Sequence, residues 1–221
     1  MSHVVKLLMK EFVTHDTMRF IVERPAGYRF DPGQATKVAI HTERWKDKKR
    51  PFTFTSLDDD GVLEFTIKRY PDHEGVTHAM HQLKSGAAWE IGAAWGTITY
   101  KKPGVFIAGG AGVTPFIAIL RRLREDGALQ GNRLIFSNKT ARDVILEAEF
   151  REMLGDAFLP TLTRENAPPY RHGRIDEPFL RDTIESFTQP FYLCGPRGFV
   201  KDIRAILERL GAQPDALVLE E

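Results

Sequence analysis

The sequence predicts a two-domain chain, an antiparallel β-barrel followed by a parallel-sheet α/β domain. Three observations carry this. The first hundred residues alternate in short apolar–polar runs broken by turn residues, the signature of a small all-β domain. Beyond Lys101-Lys102-Pro103 the pattern changes to short apolar strands alternating with helices of helical spacing, which implies βαβ units. The chain has 221 residues, enough for two domains of roughly 100 each with their own cores. The expected division is 1–102 and 103–221.

In the first domain the expected strands are Val4–Phe12, Met18–Glu23, Ala35–His41, Leu63–Lys68, Ala88–Ile91 and Thr97–Tyr100. Pro25-Ala26-Gly27, Asp31-Pro32-Gly33 and Asp58-Asp59-Asp60-Gly61 separate them as turns. One helical stretch, near Val76–Leu83, interrupts the series, and closure into a barrel would remove exposed sheet edges. In the second domain Gly104–Ala108, Arg133–Phe136, Phe158–Leu162, Pro190–Cys194 and Ala216–Leu219 read as strands. Pro115–Glu125, Val144–Leu154, Glu177–Phe187 and Gly198–Leu210 read as helices.

Composition narrows the function classes. Hydrophobic residues make up 42% and charged residues 28%, and the net charge is +1, so no global field draws the chain to nucleic acid or membrane. No stretch approaches the roughly 20 apolar residues of a membrane span. The single cysteine, Cys194, excludes an internal disulfide and any four-Cys metal or iron–sulfur site, and no metal is expected. A lone thiol suits a reducing compartment, and MSHVVKLLMKEF has no signal-peptide core, so the expected location is the cytoplasm.

Two segments look like ligand sites. In Arg50-Pro51-Phe52-Thr53-Phe54-Thr55-Ser56 a guanidinium, a flat ring and hydroxyls stand together. If the segment is extended, Arg50, Phe52, Phe54 and Ser56 share one face and Pro51, Thr53 and Thr55 the other. Arg binds phosphate bidentately and an aromatic face suits a planar ring, although a plain barrel strand with a surface Arg would read alike. The second segment is Gly109-Gly110-Ala111-Gly112-Val113-Thr114-Pro115, placed between a strand and a helix. Glycines admit a pyrophosphate, the helix N-terminus favours negative charge, Thr114 suits the N-cap and Pro115 the first helical turn. The alternative is a Gly-rich turn with no ligand.

These segments, in this order, resemble the ferredoxin–NADP reductase-like family. Arg50, Thr53 and Ser56 match its flavin motif, with Phe52 where the family usually has Tyr. The resemblance implies FAD as cofactor. It implies that Arg50 meets the flavin pyrophosphate, that Phe52 packs on the isoalloxazine ring and that Thr53 hydrogen-bonds near flavin N5. Pro51 and Ser56 belong to the same motif. Ile67, Lys68 and Arg69 would line the flavin by backbone contacts, and Gly75-Val76-Thr77 would hold its pyrophosphate at a helix start. Asp31-Pro32-Gly33-Gln34 resembles the family's Pro-Gly-Gln turn, whereas Lys84-Ser85-Gly86-Ala87-Ala88 lacks the Asp found downstream in relatives.

Gly110, Gly112, Thr114 and Pro115 resemble the family's nicotinamide-dinucleotide motif, and Cys194-Gly195-Pro196 its Cys-Gly-Pro. The resemblance implies NAD(P)H as substrate, with Thr114 and Cys194 beside the nicotinamide in a positional role. Lys139 and Arg142 suit a 2′-phosphate, yet Asn138-Lys139-Thr140 resembles NADH-using cytochrome b5 reductases, so the dinucleotide stays open. Many relatives end in an aromatic over the flavin; with Leu217-Val218-Leu219-Glu220-Glu221 here, either the face is open, which would favour stray oxygen reduction, or Glu220 and Glu221 approach the ring.

The function implied is hydride transfer from NAD(P)H to FAD and electron transfer on to a small carrier protein such as ferredoxin or flavodoxin. Arg44-Trp45-Lys46-Asp47-Lys48-Lys49 leads into Arg50, five basic residues in seven, and reads as a solvated hairpin or as a docking face for an acidic carrier. The alternatives are a reductase subunit of a multicomponent oxygenase and a redox-silent binding module that keeps the fold.

Overall fold

The computed structural model describes residues 2–70, 74–96, 98–213 and 217–219. Two compact units can be distinguished, Met1–Thr97 with Thr114–Arg122, and Ile98–Val113 with Leu123–Glu221.

The first unit is built on β1 (His3–Phe12), β2 (Thr17–Glu23), β3 (Gln34–Ile40), β4 (Arg50–Thr53), β5 (Val62–Lys68), β6 (Ala88–Ile91) and β7 (Trp95–Gly96), with α1 (Val76–Gln82) after β5. The strands run in the order β4-β3-β6-β1-β2-β5, and β7 pairs with β3. Every pairing is antiparallel. An antiparallel bridge from Phe54 to Phe65 joins the end of β4 to β5, so the sheet nearly closes into a barrel. Phe20, Phe54, Phe65 and Trp89 fill the interior with no exposed surface, and Phe30 stacks on Phe54 at 4.2 Å between ring centroids. Burying such rings stabilises by about 1.5–3 kcal/mol each, which explains why a domain this small needs no covalent staple. The Asp31-Pro32-Gly33-Gln34 turn closes with Gln34 N–H donating to the Asp31 carbonyl at 3.0 Å. Gly33, at φ +94°, takes the left-handed position that such a turn demands.

The second unit carries β8 (Val105–Gly109), β9 (Arg133–Asn138), β10 (Phe158–Leu162), β11 (Arg171–His172), β12 (Phe191–Cys194) and β13 (Leu217–Leu219). They form one parallel sheet in the order β11-β10-β9-β8-β12-β13. The helices are α2 (Thr114–Glu125), whose residues up to Arg122 cluster with the barrel unit, α3 (Glu147–Leu154), α4 (Glu177–Thr183) and α5 (Arg197–Arg209). All residues of β8 and β12 are buried, as their unbroken apolar runs require of strands covered on both faces. From β8 the chain steps outward through β9, β10 and β11, then returns to β12 on the other side of β8. The direction in which successive strands are added therefore reverses between β8 and β12, and crevices for ligands form at the carboxyl ends of strands at such a point.

Several elements differ from expectation, each for a local reason. The helix expected from Val144 begins at Glu147, because Leu146 adopts a left-handed conformation (φ 51°, ψ 37°) while Val144 and Ile145 are buried in the turn before it. The helix expected over 177–187 ends at Thr183, whose hydroxyl donates back to the Phe179 carbonyl. Residues 98–100 form no strand; the short strand there is β7, and Thr97 lies outside the described residues. Ile98–Lys102 cluster with the second unit, where the Tyr192 hydroxyl accepts from Lys101 and Lys102 N–H and donates to the Lys102 carbonyl at 2.8 Å. Among the described residues no helix is long and apolar enough to cross a membrane.

Candidate functional site

In the barrel unit the Arg50–Ser56 segment divides into two parts. Arg50 and Pro51 are exposed, and Phe52 is half-buried against the aromatic core. Thr53, Phe54, Thr55 and Ser56 are all buried, so the expected alternation of faces stops at Thr53. The chain leaves the regular strand there because Phe54 bridges to Phe65 and Thr55 N–H donates to the Glu64 carbonyl at 2.9 Å. The Ser56 hydroxyl oxygen accepts the Glu64 N–H at 3.0 Å. The Arg50 guanidinium donates to the Lys49 carbonyl at 3.0 Å, and among the described residues no carboxylate pairs with it. It is thus a fixed positive charge in solvent, held on a strand and available to a phosphate.

The end of β5 and the start of α1 are tied together. Ile67 is buried, and its carbonyl lies 2.9 Å from His81 Nε2 on α1. A carbonyl can only accept, so Nε2 carries the proton and Nδ1 is the bare nitrogen, buried without a hydrogen-bond partner. Burial pushes the His81 pKa down, helped by the charges of Arg69 and Lys10 and opposed by the Ile67 hydrogen bond and by Asp16. Lys68 pairs with Asp16 at 2.9 Å, and Arg69 N–H donates to the Asp16 carbonyl at 2.7 Å. Burial alone would raise the Asp16 carboxyl, but Lys68, Thr14 and Thr17 outweigh it and hold the carboxyl below its usual range. Gly75 is the N-cap of α1 with no side-chain cap, Val76 is buried and Thr77 half-buried. Among the described residues no atom lies within 4 Å of where a Gly75 side chain would begin, and the first amides of α1 have no partner within the helix. An exposed guanidinium and an uncapped, open helix start fit an FAD pyrophosphate, and half-buried Phe52 fits its ring.

In the second unit the two remaining motifs meet. Ala108 on β8 is in register with Cys194 on β12, which brings Gly109–Gly112 beside Cys194–Pro196. A methyl group on Gly112 would stand 2.4 Å from the Cys194 carbonyl oxygen and 2.6 Å from Gly195 Cα. One on Gly195 would stand 2.8 Å from Phe199 Cδ1. Gly110 has φ +54° and open space around it, where a ligand can reach the backbone. Thr114 begins α2, with Pro115 buried after it. Cys194 is buried and free of any disulfide, and Pro196, exposed, is the N-cap of α5.

Asn138 ends β9, buried, and neither its Oδ1 nor its Nδ2 has a hydrogen-bond partner. A buried amide left with both groups unmade is costly, an arrangement explained where a polar ligand completes it. Lys139 is exposed, and Asp143 folds the next turn back by accepting from Thr140 N–H at 2.9 Å and Thr140 Oγ1 at 2.6 Å. The reversal point, Gly110 and Asn138 together fit a dinucleotide. Glu220 and Glu221, on which the expectation of an open flavin face depends, lie outside the described residues.

Sequence reasoning passed over His81, Asp16, Glu64 and Arg121. His81 carried one signal: it follows Thr77 by four residues, on the helix face that packs inward. Arg121 carried another: a charge adjoining Leu120 and four residues after Ile117, inside an apolar stripe.

Comparison with known proteins agrees with this geometry. Residues 4–100 match the family described as "Oxidoreductase FAD-binding domain" and residues 106–205 the "Oxidoreductase NAD-binding domain". The chain is 27% identical over 220 residues to the reductase component of propane 2-monooxygenase from Rhodococcus jostii, covering 93% of this chain and 59% of that protein. It is 26% identical over 212 residues to the ferredoxin–NAD(P)(+) reductase component of naphthalene 1,2-dioxygenase/salicylate 5-hydroxylase systems from Ralstonia, covering 91% and 63%. NADH-cytochrome b5 reductase 2 of Mycosarcoma maydis is 26% identical over 253 residues, covering 96% and 71%. The chain thus spans about three fifths of the length of the first two. Among solved structures, a ferredoxin NADP+ reductase from Neisseria gonorrhoeae with bound FAD and NADP superposes with a TM-score of 0.87 over 99% of this chain and 98% of that one, at 20% identity. At that identity the likeness shows the fold.

Proposed function

Because the chain belongs to the ferredoxin–NADP reductase-like family of FAD- and NAD-binding oxidoreductases, we propose that it is an NAD(P)H-dependent flavoprotein reductase. Hydride passes from NADH or NADPH to FAD, and electrons pass on to a separate carrier protein such as ferredoxin or flavodoxin. Residues 1–102 form the FAD-binding domain and 103–221 the NAD(P)-binding domain. The observation that carries this reading is the reversal of strand order between β8 and β12, where the Gly112 backbone lies against Cys194–Gly195 beside a turn open at Gly110. Bound flavin supplies the chemistry, accepting a hydride and releasing its electrons singly or as a pair.

The protein supplies orientation and charge. Arg50 and the amides opening α1 at Gly75-Val76-Thr77 neutralise the FAD pyrophosphate. Pro51 and Phe52 pack against the ring system, Thr53 donates a hydrogen bond to it, and Ser56 with Ile67, Lys68 and Arg69 shapes the backbone around it. Gly110, Gly112 and Pro115 admit the dinucleotide pyrophosphate. Asn138 and Lys139 meet its adenosine half, and Thr114 and Cys194-Gly195-Pro196 align the nicotinamide. Cys194 acts by position, with no covalent step.

The relatives of the oxygenase systems favour a second reading, a reductase component feeding such a system through a carrier. In either case the β3–β4 hairpin offers a docking face. Arg44 and Lys48 flank the Trp45 ring at 5.0 and 4.7 Å, whereas Lys46 and Lys49 are paired with Glu43 and Glu90. A lone thiol suits a reducing compartment, which supports the cytoplasm as its location.

The test is the visible spectrum of protein supplemented with FAD, followed anaerobically on adding NADH or NADPH and then a panel of acceptors. Bleaching of the flavin bands by either nucleotide is expected. Protein that takes up no FAD would make it a redox-silent module.

A further inference from the structure

Helix α2 carries a charge on its buried face. Arg121, its side chain 13% exposed, donates from Nη1 to the Thr55 carbonyl at 2.6 Å and to Glu64 Oε1 at 2.7 Å. Glu64 lies on β5 with its side chain 9% exposed. The same Oε1 accepts the Thr55 hydroxyl at 2.7 Å, and Arg19 Nη1 stands 3.8 Å from Oε2. All these residues belong to the barrel unit.

Such a pair adds little net stability, because desolvating two charges costs about as much as their attraction returns, and apolar side chains of similar size would seat the helix as well. What a guanidinium adds is direction, since the two N–H bonds of Nη1 lie in its rigid plane and aim one at the Thr55 carbonyl and the other at Glu64. The carbonyl chosen belongs to Thr55, inside the Arg50–Ser56 segment. Thr114 lies seven residues earlier on α2, roughly 10 Å along a stiff rod.

We propose that the Arg121–Glu64 pair is a positioning device for hydride transfer, fixing Thr114 and Pro115 relative to the flavin-binding strand. The inference rests on the reductase reading above. Arg121 and Glu64 touch neither cofactor nor substrate; they act through α2 and Thr55. Misplacement of about 1 Å at a reacting centre can cost 100-fold in rate.

The double variant Arg121→Met/Glu64→Leu removes both charges and avoids stranding either one in the interior. It is expected to fold, to hold FAD as tightly as wild type, and to lose 10- to 100-fold in the limiting rate of anaerobic flavin reduction by saturating NADH or NADPH. The long-wavelength charge-transfer absorbance formed on mixing should shrink in parallel, and amide exchange in α2 of the flavin-free protein should accelerate. Arg121→Lys, which keeps the charge but not the planar pair of N–H bonds, should recover part of the rate. A double variant with wild-type limiting rate and charge-transfer band would overturn the proposal, as would a rate loss accounted for by lost FAD. Wild type reduced by neither nucleotide would sink the reductase reading instead, and unchanged α2 exchange would then sink the tether as well.

Discussion

The two candidate ligand regions are built on opposite principles. At the reversal point of the parallel sheet, backbone meets backbone: Gly112 leaves no room for one more carbon against Cys194 and Gly195. At the barrel site the groups stand in the open, with Arg50 exposed and no described atom within 4 Å of where a Gly75 side chain would begin. The first region is specified by what is absent from its residues, the second by what projects from them. Substitutions should therefore damage folding in one and binding in the other.

The sharpest way to break that contrast is Gly112→Ala. Its methyl group would press on a carbonyl and a Cα, neither of which can swing aside as a side chain can. A loss of about 3 kcal/mol is expected, the upper end for overpacking, seen as a melting point lowered by roughly 6–12 °C. Gly110→Ala, two residues away in open space, should cost only about 1–2 kcal/mol, for the left-handed conformation alone. Equal losses at the two positions would show that packing is not what distinguishes Gly112.

Arg50→Gln tests the opposite expectation in the barrel. No carboxylate among the described residues depends on Arg50, so the apo protein should melt within about 0.5 kcal/mol of wild type. FAD affinity should fall by about 10- to 100-fold, the worth of a charge-assisted phosphate contact. Equilibrium titration of the apo protein with FAD checks it, and an unfolded variant would mean that Arg50 holds the strand rather than a ligand.

The contrast also explains what was legible in the sequence. Glycines demanded by close approach sit at fixed offsets beside apolar strands, so Gly109–Gly112 and Cys194–Pro196 could be found as motifs and the parallel sheet read around them. The barrel strands were legible from alternation, but the Arg50–Ser56 segment was not legible residue by residue. Alternation assumes a straight strand, and this one turns inward at Thr53 to close the barrel through Phe54 and Phe65. Glu64 and Arg121 escaped for a different reason. Each is a charge placed in an apolar pattern, meaningful only with its partner 57 residues away. The short β11 pairs through two residues and leaves no periodic trace.

His81 supplies a smaller test within the barrel. Its folded-state pKa lies below the ordinary value near 6.5, so the unfolded chain binds more protons as pH falls through that value. The stabilising contribution is complete above about pH 6.5 and is lost below it. The barrel should melt progressively lower between pH 7 and pH 5, before Asp16, whose own loss belongs nearer pH 4 and below. FAD should dissociate more readily over the same range, since His81 joins α1 to Ile67. His81→Gln, which can still donate to the Ile67 carbonyl, should flatten the dependence; an unchanged slope would place the titrating group elsewhere.

The smallest expected effect lies on the β3–β4 hairpin, where charge acts at a distance and no buried contact is at stake. The basic run does not act as one block, because Lys46 and Lys49 are offset by Glu43 and Glu90. Arg44 and Lys48, on the faces of Trp45, carry the charge that a partner would feel. Arg44→Glu/Lys48→Glu should leave flavin content and reduction by NAD(P)H unchanged. It should slow electron transfer to an acidic carrier by about threefold to tenfold at low ionic strength, through the encounter rate. Salt near 0.5 M, where screening acts within roughly 4 Å, should erase the difference. Stopped-flow reduction of the carrier at both salt concentrations measures this, with Lys46→Glu/Lys49→Glu as the comparison expected to do less. If the paired lysines mattered as much as the unpaired cations, the hairpin would be working through net charge alone rather than through the Trp45 cluster.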